Sequence, residues 1–345
     1  MFEPVYTITP KLLSDIKRIG ILISELNRKQ FPRMVMVELE QAAREMSAYS
    51  STSIEGNPLP LTEVKRIIKN HPQNLRDSEK EVLNYNKALE IFNEKIKNNS
   101  INFNLKLLLN VHKNILNGLS TPDNTGKLRN EPVFVNDPGT GKTVYLPPDH
   151  QDVPDLVNDL IRFCVKNREK LDPLIVAGIF HKQFVIIHPF IDGNGRTARM
   201  ASKILLAGMG LDTFNLFSFE NYYNRNVTRY FKNVGVYGNY YDIRDKIDFT
   251  PWLEYFTEGI IDELLRVSDI LGRQTASPAT TLQNHHIQII NYIKEHGFIT
   301  DRLYSQLTDR AKPTRNHDFN KLIEQGIIER LGKGKATYYK LKDNS

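Results

Sequence analysis

The stretch that most constrains the fold is a long apolar run, Leu174–Ile187, which is followed directly by a glycine-rich turn. Asp172 and Pro173 precede the run, and these residue types are favoured at the N-cap and at the first position of a helix. A helix that is apolar all round has to be buried. Pro189 disfavours helical geometry at the residue before it, so the first helix is predicted to end there. A second helix is predicted from the turn to Gly208. The sequence therefore predicts a buried helix, a tight turn and a new helix N-terminus.

The turn, residues 188–199, brings together residue types that suit phosphate chemistry. The start of a helix presents unpaired N–H groups and about half a positive charge, and glycines let an anion approach them closely. Arg196 and Arg199 lie three residues apart, so both extend from one helix face and can donate forked hydrogen bonds to phosphate oxygens. Asp192 would repel phosphate unless a cation such as Mg²⁺ lies between them, and His188 can accept a proton at pH 7. This pattern predicts a phosphoryl- or nucleotidyl-transfer site that uses Mg²⁺.

The whole string from residue 188 to residue 199 resembles the active-site motif of the Fic (filamentation-induced-by-cAMP) family, His-x-Phe-x-Asp/Glu-Gly-Asn-Gly-Arg-x-x-Arg. Fic proteins mostly transfer AMP from ATP to a protein hydroxyl. The resemblance implies that His188 is the general base for a target Tyr, Thr or Ser, and that Asp192 holds Mg²⁺ on the α- and β-phosphates. The residues to which it assigns nucleotide binding are Gly193, Asn194 and Gly195 around the anion and Arg196 and Arg199 on the outer phosphates.

A second motif lies near the N-terminus, at the end of a helix predicted for about residues 34–56. Its last turn carries Glu55, where the helix dipole disfavours an acid by about 0.3–1 kcal/mol, so a cationic partner is expected. The string from Ser51 to Gly56, Ser-Thr-Ser-Ile-Glu-Gly, resembles the inhibitory motif of Fic proteins. In that family the glutamate pairs with the second arginine of the active-site helix, here Arg199, which displaces the γ-phosphate and leaves ATP in a pose unsuited to transfer. A solvent-exposed Glu55 is the alternative.

Between the two motifs the periodicity changes to that of a β-hairpin, over about residues 131–147. Two short apolar runs flank a turn rich in glycine and proline, which predicts antiparallel strands. In the Fic family the equivalent hairpin, the flap, lies over the active site and adds a strand to the target, so it makes few demands on the target sequence. The predicted docking residues are Val133, Phe134, Val135, Thr143, Val144 and Tyr145. A purely structural hairpin is the alternative.

Aromatic side chains recur after the active-site motif, in a helix predicted for Asn221–Val234. They are Tyr222, Tyr223, Tyr230 and Phe231. Fic proteins seat the adenine base against this following helix, so one face of it could line the adenine pocket. Packing in the core is the alternative for each of these side chains.

The last part of the chain has its own pattern. A polar linker is predicted for residues 274–281, followed by a compact unit at 282–345. Its predicted helices are His286–Lys294, Asp301–Leu307 and Arg315–Glu324, and its predicted strands are 327–331 and 336–341. Three helices and a basic β-hairpin resemble a winged helix-turn-helix domain, with Arg315 at the start of the recognition helix. Residues 311–345 carry a net charge of +4, which suits DNA, but winged helices also dock proteins, so a DNA or a protein partner stays open.

Composition sets the outer limits of these predictions. The 345 residues include one cysteine, Cys164, so no intramolecular disulfide and no cysteine metal cluster can form, and an amphipathic surrounding sequence favours a core thiol. No apolar run approaches the length of a membrane span, and the first residues lack the pattern of a signal peptide. We therefore expect a cytoplasmic protein that does not contact a membrane. A net charge of +6 is too small to name a partner.

The predicted fold class is mostly α: a Fic helical domain with a β-hairpin flap, followed by a small winged helix-turn-helix (α+β) domain. The predicted divisions are an N-terminal helical segment at 1–100, a Fic catalytic domain at 101–273, the linker and the tail. The predicted function is a protein adenylyltransferase that uses ATP and Mg²⁺, modifies a target protein or itself, and is inhibited by Glu55. Removal of AMP, another phospho-donor, and a DNA-binding regulator that senses nucleotide stay open, as does a homo-oligomer.

Overall fold

The chain folds into two units. The computed structural model describes residues 2–28, 33–98, 101–137, 139–211, 218–275, 282–324 and 326–342. One unit consists of residues 1–30 and 37–271, and the other of residues 31–36 and 272–345. The larger unit extends across the division predicted after residue 100, which itself lies outside the described residues, as do residues 276–281 of the predicted linker. No helix in the described ranges is long and apolar enough to cross a membrane.

Helices make up most of the chain as far as residue 275. In chain order they are α1 (Pro10–Arg28), α2 (Arg33–Ile54), α3 (Leu61–Asn70), α4 (Asp77–Lys97), α5 (Leu105–Ile115), α6 (Val153–Asn167), α7 (Pro173–Ile187), α8 (Asn194–Gly208), α9 (Phe219–Arg225), α10 (Val227–Val234), α11 (Tyr240–Ile243) and α12 (Thr250–Thr275). The mostly α prediction is therefore confirmed.

Two of the differences from the predicted helices bear on the site. α2 ends at Ile54, so Glu55 lies in the turn that follows the helix. The single helix predicted for Asn221–Val234 is two helices, α9 and α10. The break occurs because the Asn226 side chain accepts a hydrogen bond from the Arg229 N–H at 2.9 Å and so caps a new helix N-terminus.

The buried helix predicted from the apolar run is α7, and it lies at the centre of the larger unit. Of its 15 residues, all but Pro173 and Val185 are buried. α6 and α8 pack against it, and Trp252 of α12 donates its indole N–H to the Gly178 carbonyl at 2.7 Å. Because α8 starts only a few residues after α7 ends, the turn between them is held against a rigid core.

The predicted hairpin is present, but it belongs to a three-stranded sheet. β1 (Val135–Asn136) pairs antiparallel with β2 (Thr143–Leu146), and β2 pairs in parallel with β3 (Gly238–Asn239), a strand that the sequence did not predict. The order is β1-β2-β3. Both edges of β2 are therefore occupied within this sheet, and its free edges are those of the outer strands β1 and β3.

Two details of the hairpin prediction need correction. Val133 and Phe134 precede β1 and are not part of a strand. Tyr145 is buried, with 3% of its surface exposed, and its hydroxyl donates to the Ile186 carbonyl at 2.9 Å. This side chain therefore anchors the hairpin to the end of α7 and cannot contact a target.

The smaller unit has the element order predicted for the tail. Its helices are α13 (Asn284–His296), α14 (Asp301–Leu307) and α15 (Lys312–Glu324), and β4 (Ile328–Leu331) pairs antiparallel with β5 (Tyr338–Leu341). Ile299 also forms a bridge with Tyr339. Residues 343–345 lie outside the described residues. The assignment to the winged-helix class stays a prediction.

A buried carboxylate organises the polar part of this unit. Asp318 is 1% exposed, accepts a hydrogen bond from the Tyr304 hydroxyl at 2.9 Å, and binds Arg310 through two contacts at 2.8 and 3.1 Å. Arg315 is also held inside the unit, because it pairs with Asp301 at 2.8 and 3.0 Å and donates to the Arg310 carbonyl. Arg315 lies in the first turn of α15, and these contacts direct its guanidinium toward its own unit.

We expect Asp318→Ala to destabilise this unit strongly, because Arg310 and Tyr304 would lose a buried partner. Each hydrogen bond to a charged group that this change removes contributes about 1.5–3 kcal/mol. Hydrogen exchange of peptides from α13–α15 should accelerate, whereas Glu329→Ala on β4, the matched control, should leave it unchanged. Equal exchange in both variants would contradict a structural role for Asp318.

Candidate active site

The turn between α7 and α8 has a backbone that few sequences can adopt. His188 has left-handed geometry, with φ 52° and ψ 58°, and its N–H caps α7 by donating to the Phe184 carbonyl at 3.1 Å. Gly193 is also left-handed, with φ 75°, and is the N-cap of α8. Left-handed geometry is unfavourable for a non-glycine residue, so the surrounding contacts have to hold His188 in place.

His188, the predicted base, has one ring nitrogen engaged. Its Nδ1 lies 3.3 Å from the Val185 carbonyl, so Nδ1 carries the proton and Nε2 is left as the acceptor. Burial lowers the pKa of His188 to about 4. The imidazole is therefore neutral at pH 7, as a general base requires.

The start of α8 offers backbone donors, as predicted. The N–H groups of Asn194, Gly195 and Arg196 have no acceptor among the described residues, and the glycine N-cap supplies no side-chain cap. The Asn194 side chain bonds the backbone of Phe190 instead, through contacts of 2.9 and 2.8 Å. Asn194 thus closes the turn with its side chain, and only its backbone N–H can reach an anion.

Arg199 is fully buried and is held by α2 and the turn after it. Its Nη2 donates to Glu55 Oε1 at 2.7 Å and to the Ser51 carbonyl at 2.8 Å, and its Nε donates to Ser51 Oγ at 2.8 Å. Nη1 lies 3.3 Å from the Tyr230 hydroxyl. Burial alone would lower the pKa of Arg199, but its pKa is raised on balance by Tyr230 and Glu55. The predicted Glu55–Arg199 contact is present, together with a contact to Ser51.

Glu55 also lies against the glycine-rich turn. A Cβ on Gly195 would lie 2.2 Å from Glu55 Oε1, so the carboxylate takes the space that the missing side chain leaves. Space beside the unpaired N–H groups is where an anion would lie. The Glu55 carboxylate and an incoming phosphate would therefore compete for it.

Arg196 is held by two carboxylates. Its Nη2 donates to both carboxylate oxygens of Asp192, at 2.8 and 2.9 Å. Its Nη1 donates to Glu81 on α4, a partner that the sequence did not predict. The other Glu81 oxygen accepts from the Asn57 amide at 2.7 Å. Because Asn57 follows the turn that carries Glu55, the segment after α2 is connected to both arginines of the motif.

His112 is a second residue at this turn that the sequence analysis missed. Its Nδ1 accepts from the Gly126 N–H at 2.9 Å, which leaves the proton on Nε2 and directs it to the Asp192 carbonyl at 3.0 Å. The ring also stacks on Phe190, with centroids 3.7 Å apart. His112 lies 80 residues before Asp192, and its acceptor is a main-chain carbonyl. Its role therefore leaves no pattern in the sequence.

A buried polar network joins α2 to α8 one helical turn away from Arg199. Lys203 lies 2.6 Å from Ser47 Oγ and 3.1 Å from Glu220 Oε2. Glu220 also accepts from the Tyr85 hydroxyl at 3.1 Å. α2 therefore has an anchor on α8 that does not involve Glu55.

The chain is similar to known proteins of one family. Residues 102–206 match the family model described as the Fic/DOC family. The chain is 31% identical over 166 residues to the protein adenylyltransferase Fic of Nematostella vectensis, which covers 47% of this chain and 37% of that protein. It is 27% identical over 217 residues to the protein of the same name from Aedes aegypti, which covers 57% of this chain and 42% of that protein. The chain thus spans about two fifths of the length of these curated relatives.

Solved structures show the same fold. A Fic family protein from Desulfovibrio desulfuricans G20 aligns with a TM-score of 0.66 at 22% identity, covering 100% of this chain and 99% of that one. Fic-1 (aa134 - 508) from C. elegans aligns with a TM-score of 0.61 at 19% identity, covering 76% of this chain and 74% of that one. The chain contains a Fic domain and has the mostly helical Fic fold.

Histidine burial at the turn predicts a loss of stability in acid. Burial lowers the pKa of His112 to about 4, whereas unfolded histidine binds its proton near pH 6.5. The contribution of His112 to the free energy of unfolding is therefore fully present above pH 6.5 and is lost as the pH drops towards 4. Between pH 7 and pH 5 this loss amounts to about 2 kcal/mol.

His112→Gln keeps a donor and an acceptor but cannot titrate, so its free energy of unfolding should fall by about 2 kcal/mol less than that of the wild type over this range. Denaturant unfolding at pH 7 and pH 5 measures the difference, and all other histidines cancel in the comparison. If the two proteins lost the same free energy of unfolding between pH 7 and pH 5, the protonation of His112 would not be the cause of the loss.

Proposed function

We propose that this protein is a Fic-type protein adenylyltransferase that transfers AMP from ATP to a Tyr, Thr or Ser hydroxyl, and that Glu55 inhibits it. The observation that carries the proposal is the contact of Glu55 with Arg199 beside the unpaired N–H groups of α8. The carboxylate lies where a phosphate bound to these N–H groups would lie, so the contact implies a phosphate site whose occupancy Glu55 controls. The names of the curated relatives support the same activity.

The proposed reaction is an in-line displacement at the α-phosphorus of ATP. The target hydroxyl oxygen forms the new P–O bond, its proton passes to Nε2 of His188, and the bond to pyrophosphate breaks. The N–H groups of Asn194 and Gly195 face the developing charge, while Arg199, once free of Glu55, would hold an outer phosphate. Positioning and charge stabilisation supply most of the rate enhancement in this type of reaction.

Asp192 is the residue that would hold Mg²⁺ in this scheme. Its side chain is 63% exposed, and a single accessible carboxylate beside phosphates suits a hard cation that keeps most of its waters. In the structure this carboxylate binds Arg196 and accepts the Gly193 N–H at 2.6 Å, so Arg196 would have to share or release it. When bound, the ion would neutralise negative charge on the phosphates.

Inhibition follows from charge and space. A γ-phosphate near Arg199 would meet the Glu55 carboxylate, and two anions cannot share one cation at contact distance without a large cost. ATP would therefore bind with its outer phosphates displaced, and its α-phosphorus would not face the target hydroxyl. Ser51, which binds Arg199 through its hydroxyl and its carbonyl, would orient the guanidinium for Glu55.

The proposed target would pair with the free edge of β1. Phe134 is 62% exposed next to that edge, and Val133, Val135, Thr143 and Val144 complete the accessible part of the hairpin. The tail offers less support for a DNA-binding regulator, because Arg315 is paired with Asp301.

The first test is AMP incorporation from α-labelled ATP with Mg²⁺, with self-modification as the readout. Glu55→Gly should be strongly labelled and the wild type weakly, because the variant frees Arg199 for phosphate. Glu63→Gly, which removes a half-buried glutamate that pairs with Arg66 on α3, is the matched control and should behave like the wild type. The double variant with His188→Ala should show no label.

Two other outcomes would change the assignment. No label in any variant from α-, β- or γ-labelled donors would reject transferase activity. Labelled Glu55→Gly protein that loses AMP when wild-type protein is added, but not when Glu55→Gly is added, would assign AMP removal to Glu55.

The pH profile tests the base separately. With the pKa of His188 lowered to about 4, kcat/KM of Glu55→Gly should stay nearly constant from pH 8 to pH 6 and fall below about pH 5. A histidine with an ordinary pKa would be about three-quarters protonated at pH 6. ATP affinity at each pH serves as the control, and a midpoint near pH 6.5 at constant affinity would contradict a base that its surroundings keep neutral.

A further inference from the structure

Arg129 lies between the motif turn and the flap, and none of the contacts described so far uses it. Its residue surface is 4% exposed. Its backbone N–H donates to the Pro189 carbonyl at 2.9 Å, and its Nε donates to the His188 carbonyl at 2.8 Å. Two donors of one residue thus bind the two consecutive peptide groups at which α7 gives way to the turn.

The remaining guanidinium donors reach the flap. Nη1 donates to the Glu131 carbonyl at 3.1 Å, before β1, and Nη2 donates to the Pro148 carbonyl, after β2. One planar group therefore touches the start of the flap, its end, and the residue that carries the predicted base. We propose that Arg129 is a positioning residue that holds His188 and both ends of the flap in one frame, an inference that rests on the proposed function.

The chemistry of these contacts makes Arg129 hard to replace. All three guanidinium acceptors are main-chain carbonyl oxygens, and no carboxylate in the described part of the chain pairs with it. Burial lowers the pKa of Arg129, so the site keeps a costly unpaired charge. A planar fork can reach three fixed carbonyls at once, whereas the single ammonium of lysine cannot.

At the motif turn, this hold acts on a strained residue. His188 keeps left-handed geometry, and its carbonyl orientation sets where its ring lies relative to the Val185 carbonyl. Loss of the Arg129 contact would let the backbone relax, because left-handed geometry costs a non-glycine residue free energy. The ring would then turn, and Nε2 would no longer point at a fixed place.

At the flap, the same group fixes the base of the hairpin. Residues 131 and 148 flank β1 and β2, so holding both carbonyls sets the position of the β1 edge. One guanidinium would thus fix the position of a target strand on that edge and the position of the base at His188. A displacement of about 1 Å between reacting groups can cost about 100-fold in rate.

The test compares Arg129→Lys with Arg162→Lys, a control on the exposed side of α6, both in the Glu55→Gly background and well below their melting temperatures. Arg129→Lys should lower kcat for AMP transfer about 10- to 100-fold with KM for ATP unchanged, because Arg129 touches none of the nucleotide-binding residues. Hydrogen exchange of residues 131–147 and 185–190 should accelerate about tenfold, with α6 and α12 unchanged. The control should match its parent in every measurement.

Two results would overturn the proposal. Unchanged kcat in a folded Arg129→Lys variant would show that the frame does not matter for transfer. Accelerated exchange everywhere, in α6 and α12 as much as in the flap, would show that Arg129 serves stability alone. The exchange measurements need no activity, so a silent Glu55→Gly parent would reject the proposed function while the exchange pattern still decides whether Arg129 holds the flap.

Discussion

The buried guanidinium of Arg199 is the interaction on which the rest of the site depends. A fully buried cation needs an anionic or strongly polar partner, and removing the partner of such a pair costs about 3–5 kcal/mol. In the structure that partner is Glu55, supported by Ser51. Under the proposed function a phosphate would take the place of Glu55. The glutamate and the substrate would then each, in turn, be the anionic partner of Arg199. A glutamate of the same chain meets the requirement for such a partner well, because a tethered carboxylate has a high effective concentration.

The contacts of Lys203 attach α2 to α8 independently of Glu55. Ser47 and Ser51 lie one turn apart on α2, and they face Lys203 and Arg199, which lie one turn apart on α8. Lys203 has its own carboxylate, Glu220, whose side chain is fully buried. α2 can therefore keep its place on α8 while Glu55, which lies beyond the end of the helix, leaves Arg199.

The parts of the site that were predictable are those in which side-chain identity and spacing carry the chemistry. The motif from His188 to Arg199 lies within one turn and one helix, and the second motif runs from Ser51 to Gly56, so both can be recognised from the sequence. His112 and Arg129 could not be predicted, because they act on main-chain carbonyls, and every residue has one. β3 was missed because it has two residues, Gly238 and Asn239, of types that are depleted in strands.

The misplaced part of the flap has a related cause. Alternation in residues 143–146 correctly predicts a strand, but it does not say which face is buried. Tyr145 faces inward because its hydroxyl finds the Ile186 carbonyl at the end of α7, and nothing local to the hairpin encodes that acceptor. Likewise, the helix predicted for Asn221–Val234 breaks because Asn226 caps α10 more favourably than it continues a helix.

The shortness of β1 has a consequence for how long a modified target would stay bound. A strand of two residues, Val135–Asn136, can form only a few backbone hydrogen bonds with a partner, each worth about 0.5–1.5 kcal/mol net. Micromolar affinity requires about 8 kcal/mol, so under the proposed function the edge of the flap would orient a substrate without retaining it. Such an edge would suit a catalyst that acts on many copies in succession, because the product would depart as soon as its side chain has reacted.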